Sequence, residues 1–104
     1  MSSKRRKSVG AYIAARHDYL DQNGCVFVDV VGRYVGVCQR CGGRGFVELH
    51  HKRGRLGPLL IDKRHFAILC ESCHRHVHTH VNKARGEGWI AQIGEWNRPD
   101  KPTA

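Results

Sequence analysis

Long apolar runs are missing from this chain. The longest, Cys25–Val31 and Leu59–Ile61, are too short to span a bilayer. A secretory leader is not expected either, because Met1–Ser8 is basic and lacks an apolar core. Aromatic residues make up only 8% of the chain, within an apolar content of 40%. At 104 residues there is room for one core, and a core this thin gains from a metal staple. Acidic residues are scarce, 9 against 18 Lys and Arg, for a net charge of +9. The expected partner is therefore a polyanion, nucleic acid rather than a membrane surface, since no strong amphipathic basic helix accompanies the charge.

Cysteine is present in an odd count of five. Four form two Cys-x-x-Cys pairs, Cys38/Cys41 and Cys70/Cys73. That pattern predicts a four-thiolate zinc site in a reducing cytoplasm rather than a disulfide framework. A closed four-cysteine site has no open coordination position, so its Zn²⁺ is structural and its binding is part of the folding free energy. Cys25 lies in an apolar run and reads as a small buried hydrophobe.

In chain order, residues 1–8 read as a basic flexible arm within reach of phosphates. Val9–Gln22 reads as a helix stopped by Asn23-Gly24. Cys25–Val31 is strand-like, and after Gly32 the stretch Arg33–Val37 is its hairpin partner. Cys38–Gly45 reads as a zinc knuckle whose glycines let the chain leave the turn. The same octet fits the C-x-x-C-x-G-x-G repeat of DnaJ-type chaperones. That region needs several copies, and the second pair here runs into His74-Arg75-His76 without glycines. Phe46–His51 is a strand with Phe46, Glu48 and His50 on one face and Val47, Leu49 and His51 on the other. Lys52–Pro58 is a basic, glycine-rich loop, and Lys52, Arg53, Arg55 and Arg75 are the expected phosphate contacts. Asp62–His65 turns the chain, and Phe66–Leu69 returns it to Cys70. One helix is predicted from Ser72 to about Arg85, a short amphipathic helix over Gly88–Trp96, and a disordered tail over residues 97–104.

Eight histidines remain to be placed. His74 and His78 are four apart and stack on one helix face, with His76 and His80 on the far side. A strand end facing that helix can supply His50, His74 and His78 to one divalent ion, leaving positions for water and a phosphate oxygen. His51, beside the ligand, has an ordinary pKa near ~6.5 and can take a proton from water.

Read together, Cys38-x-x-Cys41, Glu48-Leu49-His50-His51, His65 and Leu69-Cys70-x-x-Cys73-His74-x-x-x-His78 resemble the HNH nuclease family, the His-Me finger or ββα-metal group. The family pattern is C-x-x-C … [DE]-x-H-H … N … L-C-x-x-C-H-x-x-x-H, and the likeness covers about two fifths of the chain. Glu48–His51 also looks like the active site of the nuclease colicins, which lack the cysteines. The resemblance implies an α+β fold. It implies a small zinc-stapled ββα-metal domain over residues 9–96, core motif 38–80, with an N-terminal helix and short flanking strands. It implies that His51 is the general base, that His50 and His74 bind the catalytic ion, and that His78 adds a ligand. Glu48 would orient His51 or an arginine. His65 stands where the family usually has asparagine, and bracing of the loop between the two strands is its expected role.

The activity implied is hydrolysis of nucleic-acid phosphodiesters, double-stranded DNA first, leaving 5′-phosphate and 3′-hydroxyl ends. Mg²⁺, Mn²⁺, Ni²⁺ or Zn²⁺ would serve as catalytic cation, and the histidine-rich set favours the later transition ions. Small free-standing members of this kind are common in bacteriophage and prophage genomes, some acting with DNA packaging. A terminase partner and a bacterial cytoplasmic setting are therefore expected. Two rival readings are a non-catalytic zinc module that binds nucleic acid and a metal-storage module.

Overall fold

A computed structural model of the chain describes residues 3–98, with their side chains from Val9 onward. The elements run α1 (Ser3–Gln22), β1 (Val26–Val28), β2 (Arg33–Val37), β3 (Arg44–His51), β4 (Phe66–Cys70), α2 (Glu71–Thr79) and α3 (Val81–Glu87). Two 3₁₀ turns, Gly57–Ile61 and Lys63–His65, lie between β3 and β4. The fold is α+β, and the four strands make one antiparallel sheet in the order β1-β2-β3-β4. No helix among the described residues is long and apolar enough to cross a membrane.

The β1–β2 hairpin forms where the β-branched runs predicted it, with Val26 opposite Val35 and Val28 opposite Arg33. The first strand is shorter than the apolar run. Val31 and Gly32 donate back to the Val28 carbonyl and close the turn, with Gly32 at φ +66°. In the middle of the sheet, β3 pairs with β2 from Arg44 to Val47 and with β4 from Val47 to His51. Beyond the Tyr34–Val47 pair, β3 has no strand partner on its β2 side among the described residues.

Alternation along β3 and β4 feeds two cores. On one face Leu69 packs with Cys38, Cys73, Val77, Ala84 and Ile90. On the other, Val47 and Ile68 pack with Leu20 and Cys25, and Tyr19 and Tyr34 close the edge. Burial of side chains such as Leu69 and Val77 contributes about 1.5–3 kcal/mol each. Cys25 is a buried free thiol in the second core, as expected of it.

Several predicted elements differ. The first helix reaches back to Ser3, into the stretch expected to be an arm, while Met1 and Ser2 lie outside the described residues. The long helix after Cys70 breaks at His80, whose φ of −116° and ψ of 60° leave the helical region. The Thr79 hydroxyl donates to the Arg75 and His76 carbonyls, a back-bond that competes with helix continuation. The bend lets Ala84 and Ile90 reach the first core. Gly88–Trp96 is not helical. Gly88, at φ +88°, caps α3, and the chain then runs along the loop after β3, Ala91 donating to the Lys52 carbonyl. Of the tail, Asn97 and Arg98 are ordered against that loop, and residues 99–104 lie outside the described residues.

Gly36 is required by close approach rather than by backbone conformation. A Cβ there would stand 2.5 Å from Cys25 Sγ and 3.2 Å from its Cβ. Gly36→Ala is expected to lower stability by about 1–3 kcal/mol in urea unfolding. Adding Cys25→Ala should recover part of the loss, and an unchanged midpoint for Gly36→Ala would contradict this packing.

Candidate metal centre and active site

The knuckle after β2 and the β4–α2 junction bring four cysteines together. Ligand atoms of Cys38, Cys41, Cys70 and Cys73 all lie within 4.8 Å of one another. The sequence sets this up locally. Gly42, at φ +75°, turns the chain so that Gly43 N–H reaches Cys41 Sγ at 3.4 Å and Cys41 N–H reaches Cys38 Sγ at 3.5 Å. Cys70 caps α2, accepting from Cys73 N–H at 3.4 Å. Arg40 Nη1 donates to Cys73 Sγ at 3.5 Å, while its Nε donates to Glu87 Oε1 at 3.1 Å and so ties the cluster to α3. Burial, reinforced by the neighbouring sulfurs, pushes the Cys73 thiol up. Cys38 is also held back by burial, yet hydrogen bonds from the backbone around Cys41, Cys70 and Arg40 outweigh it and lower its pKa. Four thiolates gathered this closely need a cation. All four cysteines are free thiols, and this donor set fits a metal ion such as zinc.

A second cluster lies where β3 ends against α2. Ligand nitrogens of His50, His74 and His78 also lie within 4.8 Å of one another. His74 and His78 come from successive turns of α2, their ring centroids 5.0 Å apart, and His50 faces both, at 5.1 and 5.3 Å. Hydrogen bonding assigns the tautomers. His50 Nε2 donates to the Trp89 carbonyl at 2.6 Å, so its Nδ1 is bare. His74 Nδ1 donates to Glu48 Oε1 at 3.3 Å, so its Nε2 is bare. Each bare nitrogen is available to a metal ion, and each partner is an acceptor of the kind that metal-bound imidazoles usually have. Burial, with the charges of His74, His78 and His51 behind it, lowers the His50 pKa to about 4 despite the Trp89 bond. Burial and His74 lower His78 as well. The three imidazoles lie close enough together to hold one metal ion.

His51 points to the other face of β3. Its Nε2 donates to the Leu60 carbonyl at 3.2 Å, leaving Nδ1 as acceptor. Phe66 and Tyr12 flank its ring, at centroid distances of 4.8 and 5.6 Å. Burial, then the charges of Arg55 and His74, lower its pKa. Because β3 ends here, both histidines still open into one cleft of about 260 Å³ with Arg55, His74, His78 and Trp96.

The remaining expected residues are arranged differently. Glu48 faces His74, not His51, since the two lie on opposite strand faces. His65 is outside the triad; its side chain is 3.9 Å from Asp62 and its carbonyl accepts from Lys52 N–H at 2.8 Å. Asn97 braces the loop after β3, its Oδ1 accepting from Arg55 and Leu56 N–H at 3.1 and 3.3 Å. Arg53 pairs with Glu95 at 3.1 Å, and Arg75 with Glu71 at 2.9 Å. Arg55 lies over the Tyr12 ring at 5.0 Å and lines the cleft. Tyr12, Trp89 and Asn97 were missed by sequence reasoning. Two of them act through a ring face or a backbone carbonyl, which leave no motif.

No protein-family model, curated protein or solved structure matches this chain.

Strong chelation should unfold this domain, because a four-thiolate ion contributes folding free energy outright. Circular dichroism is expected to lose its cooperative thermal transition and to regain it on adding one equivalent of Zn²⁺. A chelated, demonstrably metal-free protein that melts at the untreated temperature would contradict the assignment.

Proposed function

We propose that this protein is a metal-dependent nuclease of the HNH type, hydrolysing phosphodiester bonds in nucleic acid, with DNA as its expected substrate. The observation that carries this reading is the pairing, in one cleft, of a three-imidazole cluster with a fourth, separately held imidazole. A closed cysteine cluster alone would serve a passive zinc module equally well. Such a module has no use for His51 held by Leu60 with Nδ1 bare.

His50, through Nδ1, and His74, through Nε2, would hold the catalytic cation together with His78. When bound there, a divalent cation supplies Lewis-acid stabilisation of the charge that develops on the phosphate. Trp89 and Glu48 keep the ligand rings in the required tautomers. His51 Nδ1 accepts a proton from the attacking water as the new P–O bond forms. The bond to the 3′ oxygen breaks, and that oxygen takes its proton from solvent. The depressed pKa of His51 keeps it unprotonated, and therefore competent, at neutral pH. Arg55 supplies positive charge at the cleft wall. The strand geometry of β3 and β4 against α2, with the cysteine cluster at their junction, supports a ββα-metal reading of the fold.

His51→Ala is expected to reduce metal-dependent plasmid nicking by about 10²–10⁴-fold while the protein stays folded and keeps its zinc content. A wild-type protein that cuts neither DNA nor RNA with Mg²⁺, Mn²⁺, Ni²⁺ or Zn²⁺ would rule out the nuclease reading. It would leave a binding module.

A further inference from the structure

A second hollow, of about 280 Å³, lies between α1 and the start of β2. Tyr12, Arg16, Arg33, Tyr34, Glu48 and His74 face it. It shares Leu49 and His74 with the catalytic cleft, so the two are adjacent. Both open beside the stretch of β3, Glu48–His51, that has no β2 partner. Neither the cysteine cluster nor the histidine triad accounts for its two arginines.

We infer that this hollow is the subsite for the phosphate next to the scissile one on the same nucleic-acid strand, with Arg16 and Arg33 as its binding residues. The inference rests on the nuclease reading for the word scissile. The anion site itself rests on the arginines. Arg16 Nε is buried and has no hydrogen-bond partner among the described residues. A buried guanidinium N–H without an acceptor is costly to leave unmade, and a phosphate oxygen is the acceptor it matches best. Arg33 lies 4.2 Å over the Phe46 ring, and its ion pair to Glu71 is long at 4.0 Å and solvated. That contact leaves the other N–H groups of the guanidinium for a ligand. Glu48 is the carboxylate in the lining, and its Oε1 is engaged by His74.

Tyr12 fixes the spacing between the two sites. Arg16 stands 5.5 Å from its ring and Arg55 5.0 Å, and its centroid is 5.6 Å from that of His51. One ring therefore links an arginine of the cleft, the proposed base and an arginine of the hollow. A strand whose scissile phosphate lies at His51 and Arg55 runs its neighbour towards Arg16 and Arg33.

Zinc-loaded protein without added catalytic cation, titrated with fluorescent single-stranded and duplex DNA over a range of salt, tests this. Arg16→Gln and Arg33→Gln should each flatten the slope of log K against log [salt], by ~0.9 on duplex and ~0.7 on single strand per lost phosphate contact. Arg44→Gln, at an exposed site away from the hollow, should keep the wild-type slope. Wild-type slopes for both hollow variants overturn the subsite, even if the enzyme cuts DNA. Flattened slopes in a protein that cuts nothing sustain the anion site and sink the nuclease reading alone. If Arg16→Gln fails to fold, Arg33→Gln and the charge-keeping Arg16→Lys decide the matter, the first flattening the slope and the second preserving it. Inorganic phosphate should displace the strand no better than chloride at equal ionic strength. Selective displacement would mark a free-phosphate site and overturn the strand assignment.

Discussion

The four cysteine sulfurs, gathered within reach of one ion, are the constraint on which the rest of the structure depends. They join a glycine turn after β2 to the junction of β4 and α2, two segments far apart in sequence but fastened at one point. Cys70 is both a member of the cluster and the cap of α2. The start of that helix is therefore set by the same atoms that close the knuckle. From there, His74 and His78 reach His50 on the facing strand without any loop holding them. A core with few aromatic side chains would not hold that helix so firmly alone.

Around this clamp the histidines divide by strand face. His50 turns to α2 and is buried among imidazoles; His51 turns to α1 and rests against Tyr12 and Phe66. Each donates one ring N–H to a backbone carbonyl, Trp89 for the first and Leu60 for the second. Both carbonyls come from segments without regular long elements, and both fix which nitrogen is left bare. Burial lowers the pKa of both rings and so favours their neutral form, which the proposed ligand and proton-acceptor roles require. Electrostatics and packing here act in the same direction.

Much of this was legible in the sequence because it is local. Cys-x-x-Cys spacing, histidines four apart on a helix and alternation along a strand are short-range patterns with one geometric meaning each. The parts that were not legible depend on contacts between distant segments. Nothing in Trp89-Ile90 announces that its carbonyl would meet His50. The apolar spacing of Gly88–Trp96 read as a helix, but backbone bonds to the loop after β3 draw that segment out instead. Asn97 sat in a stretch read as a disordered tail, yet its side chain braces that loop. The break at His80 depends on the Thr79 hydroxyl choosing helix carbonyls. Tyr12 looked like one residue of an amphipathic face until α1 laid it against His51.

The four cysteines and the three histidines form two candidate metal sites of different chemistry. Titration of the metal-free protein with Co²⁺, followed by absorption, separates them most directly. The first equivalent should give thiolate-to-cobalt charge-transfer bands. The second should add only ligand-field bands, and these should vanish in His74→Ala while the thiolate bands persist. Thiolate bands that keep growing beyond the first equivalent, or a second equivalent indifferent to His74→Ala, would contradict it.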